Sequence, residues 1–199
     1  MDFSGYLWLM TSPYETTYSA PRFMAFIDLG YLLVAIKAAD EHLEKRLPET
    51  HEDESQHVIG NVNATRQSLL RAAFIAAYGI FEQNLDELVN MDQKSGGHLI
   101  APSDLKDRGI TRSLTYARKV LGMSIDTSAN HWKDVLLLQE VRNHLTHFGP
   151  EFADSGDHAK RWEKFKRSEL VSLRPMICFT IDQFEEICHR FTSCIEDFT

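Results

Sequence analysis

Apolar residues recur every three or four positions along most of this chain, a spacing typical of amphipathic helices. The most regular run lies near the C-terminus, where apolar positions alternate steps of four and three residues. This run predicts one helix that packs along a bundle seam and completes the core. Its members are Ile177, Ile181, Phe184, Cys188, Phe191, Ile195 and Phe198.

Two further apolar runs predict long helices. The first helix opens at Pro21 and ends near Leu47, because prolines stand at its start and just beyond its end. Its predicted inward stripe is Phe23, Ile27, Tyr31, Val34 and Ala38. The second helix is capped by Asn63 and continues to about Lys94. Its predicted inward residues are Leu70, Phe74, Ala77, Phe81, Leu85 and Leu88.

These helices, with shorter ones after them, predict an all-α fold: an up-and-down helical bundle of four to six helices with short irregular connections. The length of 199 residues suits one domain, so residues 1–199 are taken as a single unit. Residues 1–20 form an N-terminal arm rich in aromatic side chains, which we expect to pack on the domain or on a second subunit. Residues 49–62 are expected to form an acidic, mobile loop.

A polar stretch stands at the end of one predicted helix, with the pattern Arg-Asn-x-x-x-His over residues 142–147. Gly149 and Pro150 follow and stop the helix. At about 100° per residue, Asn143 and His147 share one face and Arg142 lies beside Asn143. An arginine, an amide and an imidazole that titrates near neutral pH are suited to a phosphodiester.

This motif, placed at a helix end before Gly149, resembles the signature of the HEPN superfamily. Members of that superfamily are all-α domains, and many are metal-independent endoribonucleases that act as toxins or in antiviral defence. The resemblance is clearest from about residue 63 to residue 150. A second Arg-to-His match runs from Arg46 to His51, but it straddles a proline and lacks the asparagine, so it is the weaker candidate.

The resemblance implies catalytic roles for three residues. Arg142 would clamp the scissile phosphate, His147 would act as base or acid, and Asn143 would orient His147 or donate to a phosphate oxygen. One helix supplies one such histidine, and the resemblance implies a homodimer in which two motifs face each other in a composite active site. The expected products are a 2′,3′-cyclic phosphate and a 5′-hydroxyl, with no metal or cofactor. An antitoxin protein is a further partner that the resemblance suggests.

Two residues are predicted as auxiliary members of the site. Glu82, on the second long helix, is the acidic residue that would face the motif by resemblance. His144 stands three residues before His147, a spacing that would suit a metal pair, but no third ligand follows at suitable spacing. The alternative for Glu82 is a solvent-facing helical glutamate.

A concentrated basic segment, from His158 to Arg167, predicts a helix that binds the RNA backbone, with Trp162 and Phe165 as aromatic anchors. Its predicted RNA-binding residues are Lys160, Arg161, Lys164 and Arg167. The alternative is a solvated basic face held to the core by the two aromatic rings.

Composition narrows the class of protein further. The formal net charge of −8 argues against broad, sequence-independent coating of nucleic acid, although a small basic site remains compatible with it. Three cysteines without paired spacing indicate reduced thiols, and the chain has no bilayer-length apolar run and no signal peptide. These features favour a cytoplasmic protein that does not enter a membrane.

Structural alternatives stay open for each motif residue. Arg142 could pair with a carboxylate such as Glu82, Asn143 could bond a neighbouring helix, and His147 could be a simple cation at a helix end. Two alternatives also stand for the whole chain. One is a non-catalytic HEPN-like module that binds RNA, nucleotide or a partner protein, and the other is a plain helical scaffold dimer.

Overall fold

The computed structural model describes residues 20–47, 53–151 and 156–198, and within them the chain is a helical bundle. The all-α prediction is confirmed, with six helices in these ranges. They are α1 (Ala20–Glu44), α2 (Asp53–Gly96), α3 (Gly109–Lys119), α4 (Asn130–Phe148), α5 (Asp157–Phe165) and α6 (Ile181–Glu196). A two-stranded antiparallel hairpin, β1 (Ser172–Leu173) and β2 (Ile177–Cys178), connects α5 to α6. None of the described helices is both long enough and apolar enough to cross a bilayer.

Helix α2 is the centre of the bundle, because α1, α3, α4 and α6 all pack against it. The six positions predicted to face inward on α2 are all buried. Phe81 stacks on Phe191 of α6, with ring centroids 4.6 Å apart and planes only 9° from parallel. Tyr78 meets the same Phe191 ring edge-on at 5.9 Å. Stacked and edge-to-face contacts of this kind add to the free energy gained from burying the rings.

The predicted C-terminal seam is confirmed over α6, where Phe184, Cys188, Phe191 and Ile195 are buried. Its first member, Ile177, is wrong as a helical residue because it lies in β2. Ile177 is nevertheless fully buried, because the hairpin strand that carries it packs into the core. Helix α6 begins after Thr180, whose side chain accepts a hydrogen bond from the backbone of Gln183.

The inward face predicted for α1 is wrong. Phe23 and Tyr31 are 51% and 62% exposed, and the buried positions are Ala25, Leu29, Leu33 and Ile36. Helix α1 is apolar on two sides, so periodicity alone does not choose between them. The observed orientation of α1 about its own axis agrees with a polar contact to α2. The buried carboxylate of Asp40 on α1 accepts two 2.7 Å hydrogen bonds from Arg66 on α2.

The predicted acidic loop over residues 49–62 is wrong from residue 53 onward, because α2 already begins at Asp53. Asn63 therefore lies inside the helix and does not cap it. A polar segment suits an exposed helical turn as well as a loop, and Val62 is already buried at this level of the helix. The predicted N-terminal arm up to residue 19 and residues 48–52, which include His51 of the weaker match, lie outside the described residues.

The hairpin ties the end of α4 to α2. Gly149 ends α4 with φ +81°, as its post-helical position predicts, since a side chain disfavours that conformation. Ile177 then donates its backbone N–H to the Pro150 carbonyl at 2.8 Å. Gln67 of α2 holds the next part of the chain by exchanging two 3.0 Å hydrogen bonds with the backbone of Phe179.

Candidate functional site

The candidate site lies along the last two turns of α4, between a buried and an exposed face of that helix. Val141 and Leu145 are buried in the core, whereas Thr146 and His147 are exposed. Arg142 and Asn143 are half-buried and lie between these faces. The motif is therefore at the surface of the bundle.

Arg142 is held by three neighbours. Its Nη1 donates to Asn143 Oδ1 at 2.9 Å, and its Nη2 donates to Glu82 Oε2 at 3.3 Å. The guanidinium carbon lies 5.4 Å from the centroid of the Tyr78 ring, within cation–π range. The Arg142 side chain is 32% exposed. Of the five N–H groups on a guanidinium, these two bonds use two, so the group keeps donors for a ligand.

Glu82 faces the motif helix, so the alternative of a purely solvent-facing glutamate does not apply. Its side chain is 25% exposed, and its carboxylate pairs with Arg142 across 60 positions of sequence. A half-buried ion pair of this kind contributes little to stability. It does fix where the guanidinium stands.

Tyr78 lies one helical turn before Glu82, and the guanidinium of Arg142 packs over its ring. It is 1% exposed, and its hydroxyl is buried without a hydrogen-bond partner among the described residues. Burial raises the pKa of Tyr78 far above its usual range; the Glu82 carboxylate adds to the rise and Arg142 opposes it. Tyr78 therefore stays neutral at any physiological pH and acts as a rigid aromatic surface under the guanidinium.

His147 and Arg142 point to different sides of α4. A separation of five residues rotates them by about 140° around the axis, with Asn143 between them. His147 is exposed, and its ring lies 6.4 Å from the ring of Phe148, which is itself 53% exposed. The hydroxyl of Thr146 bonds back to the carbonyls of Arg142 and Asn143, at 2.9 and 3.2 Å. A ligand that touches both Arg142 and His147 must lie across Asn143.

His144 is separate from this exposed group. It is 1% exposed and lies among aromatic rings between α4 and α5, 6.0 Å from Trp162 and 5.9 Å from Phe165. Its Nε2 is 3.2 Å from the carbonyl oxygen of Glu151. The structure thus places the predicted auxiliary residue in the packing of α5 and not beside Arg142. Across the described residues, no group of three or more His, Cys, Asp or Glu side chains is arranged to hold a metal.

The predicted RNA-binding residues lie on α5 and its C-terminal extension. Trp162 and Phe165 are buried at 7% and 0% exposure, so they anchor the helix and offer no open ring surface. Lys164 pairs with Glu140 of α4 at 2.8 Å. Arg161 is half-buried, whereas Lys160, Lys164 and Arg167 are exposed. A positive surface is therefore attached directly to the helix that carries the motif.

Sequence reasoning did not identify Tyr78 or Gly109 as members of this neighbourhood. Tyr78 had a local signal, because it stands four residues before Glu82 and shares its helical face. Gly109 is far from both motif and glutamate in sequence, and its closeness to Glu82 follows only from the docking of α3.

Comparison of the chain with models of known protein families, with curated proteins and with solved structures gives no match.

Proposed function

We propose that this protein is a metal-independent endoribonuclease of the HEPN type, with Arg142, Asn143 and His147 as its catalytic residues. The observation that carries the proposal is the arrangement around Arg142. A guanidinium with spare donors is held at the surface by Asn143 and Glu82, and an exposed imidazole stands five residues later on the same helix, beyond Asn143. These are the groups that metal-free cleavage of a phosphodiester needs.

In the proposed reaction, the 2′-oxygen of a ribose attacks the adjacent phosphorus and the bond from phosphorus to the 5′-oxygen breaks. A base removes the 2′-proton and an acid protonates the leaving 5′-oxygen. Arg142 donates two parallel hydrogen bonds to the phosphate oxygens as negative charge develops, which a lysine would do poorly. The products are a 2′,3′-cyclic phosphate and a 5′-hydroxyl.

One motif supplies a single exposed imidazole, so base and acid are proposed to come from two copies. His147 of each subunit of a homodimer would enter one composite cleft, next to Arg142 of both. The exposure of His147 and of its neighbour Phe148 is what supports an opposing surface at this end of α4. The setting we propose is a cytoplasmic toxin or phage-defence effector, with an antitoxin protein as a further partner. The buried, reduced thiols are consistent with that compartment.

The basic surface of α5 is proposed to guide the RNA toward the motif. Lys160, Lys164 and Arg167 are exposed and α5 packs directly on α4. The net charge of −8 restricts attraction of RNA to this local surface, because the rest of the protein repels a polyanion.

The test is cleavage of a fluorescent RNA oligonucleotide in excess chelator, with analysis of the product ends. We expect His147→Ala and Arg142→Ala to lower kcat by about 10²-fold or more, and a 2′-deoxy linkage to resist cleavage. His42→Ala and Arg46→Ala are matched controls at exposed positions of the first helix and the turn after it. Equal cleavage by wild type and His147→Ala would reject the assignment.

A mixing experiment tests the composite site. Because the proposed cleft needs His147 from both subunits, a dimer of one wild-type and one His147→Ala subunit should not cleave. When the two proteins are mixed and allowed to exchange subunits, activity should therefore fall with the square of the wild-type fraction. A fall in direct proportion to the wild-type fraction, with subunit exchange verified, would favour a site contained in one chain.

A second candidate is a non-catalytic module that binds RNA, nucleotide or a partner protein through the same surface. The observation that favours it is the ion pair within one chain, because Glu82 competes with a phosphate for Arg142. This candidate predicts saturable binding of a labelled oligonucleotide with intact RNA recovered afterwards. Binding would weaken in Arg142→Ala and stay unchanged in His147→Ala.

A further inference from the structure

The first residue of α3 lies against the carboxylate that holds Arg142. Gly109 has φ +57°, a left-handed conformation that favours glycine. A Cβ atom at Gly109 would lie 2.7 Å from Glu82 Oε1 and 3.7 Å from Glu82 Cδ. The first distance is well inside van der Waals contact. The same Cβ would lie 3.5 Å from Nε2 of Gln139, on the motif helix.

Helix α3 cannot easily move away to relieve such a contact. Asp86 of α2, one turn after Glu82, accepts hydrogen bonds from Arg112 and from the Ser113 hydroxyl, the latter at 2.5 Å. Ile110, directly after the glycine, is fully buried. Because these contacts fix the start of α3 on α2, the mobile partner in any clash is the carboxylate of Glu82.

We infer that Gly109 is a positioning residue for Arg142, acting through Glu82. The missing side chain at Gly109 leaves the space in which the carboxylate stands while Oε2 accepts from Arg142. A methyl group there pushes the carboxylate off the guanidinium, and Arg142 then loses one of its three supports. The catalytic consequence rests on the proposed ribonuclease function, whereas the placement of Arg142 does not.

Gly109→Ala tests this inference, with Gly122→Ala as the matched control. Gly122 follows α3 with φ +72°, and a Cβ there meets nothing within 4 Å. Both substitutions therefore place a side chain in left-handed backbone, and only one of them reaches Glu82. The primary measurement is the rate at which phenylglyoxal modifies Arg142, followed by peptide mass spectrometry. We expect Gly109→Ala to raise that rate about two- to tenfold over Gly122→Ala, because the paired carboxylate no longer protects the guanidinium.

A double-mutant cycle separates displacement of Glu82 from general damage. In a Glu82→Ala background the carboxylate is already gone, so adding Gly109→Ala should leave the Arg142 modification rate unchanged. Glu82→Ala should also restore part of the thermal stability that Gly109→Ala loses, since it removes the clashing atoms. If Gly109→Ala alone folds poorly, this rescue still decides the question. Additive effects of Gly109→Ala and Glu82→Ala on stability would overturn the inference. Equal rates of Arg142 modification in Gly109→Ala and Gly122→Ala would overturn it as well.

Activity then gives a second readout. If the wild type cleaves RNA, Gly109→Ala should lower kcat with little change in KM, because it disturbs alignment and not the basic surface of α5. If the wild type does not cleave RNA, the proposed function fails, and the arginine modification still decides the role of Gly109.

Discussion

Gln67→Met removes the clamp between α2 and the chain that leads into α6. The Gln67 amide donates to the Phe179 carbonyl and accepts from the Phe179 N–H, both at 3.0 Å. Phe179 is 1% exposed, and its ring lies 4.9 Å from Phe74, so water cannot easily replace the amide. Methionine has a similar length and no hydrogen-bonding amide. Two backbone groups are thereby left without partners.

The expected cost is about 2–4 kcal/mol, since each unsatisfied buried polar group costs about 1–3 kcal/mol and partial relaxation recovers some of it. For a chain of this length that lowers Tm by about 4–16 °C. The assay is urea unfolding followed by circular dichroism, with the midpoint compared at constant slope.

Gln83→Met is the matched control. Gln83 lies on the same helix, is exposed, and donates to Glu87 one turn away. Its replacement should change the free energy of unfolding by less than about 0.5 kcal/mol. If the Gln67 and Gln83 variants unfold at the same urea concentration, the two bonds to Phe179 contribute nothing and the reasoning fails.

Three other outcomes are expected. Burial raises the pKa of the Cys188 thiol to about 12, so a disulfide reagent at pH 8 should label it slowly in the native protein and rapidly in urea. Stability that depends on the neutral Cys188 thiol is fully present below the unfolded pKa near 9 and is lost as pH rises toward 12, so Cys188→Ala should flatten the alkaline limb of the Tm–pH curve. Replacing Lys160 and Arg167 together by alanine should weaken RNA binding and reduce the slope of log affinity against log salt by about 0.7 per cation, with kcat at saturating RNA unchanged. Rapid labelling of Cys188 in the native protein would contradict the first expectation. An equally steep alkaline limb in Cys188→Ala would contradict the second, and an unchanged salt slope in the double alanine variant would contradict the third.

Periodicity was enough to predict the all-α class and the inward residues of α2 and α6. Helix α6 has one apolar side, and the central helix α2 is covered by four other helices, so the apolar positions predicted there are buried. It failed on α1, which has two apolar sides, and over residues 53–62, where a mostly polar sequence is compatible with a helix as well as with a loop. The end of the motif helix was predictable for a local reason, since Gly149 adopts a conformation that other residues avoid.

The candidate site divides in the same way. Residue types and spacing placed Arg142, Asn143 and His147 together at one helix end, because that placement depends only on helical geometry. His144 and His147 look alike in sequence, because both are histidines near the same helix end. His144 is buried against α5 and His147 is exposed, and only the docking of α5 distinguishes their two faces.

Local sequence therefore determined which chemical groups stand at the end of α4, and tertiary structure decided what surrounds them. The pairing of Arg142 with Glu82 joins residues 60 positions apart, and the space for that carboxylate is left by a glycine on a third helix. Short-range preferences act within a few residues, whereas these contacts arise from the packing of whole helices against one another.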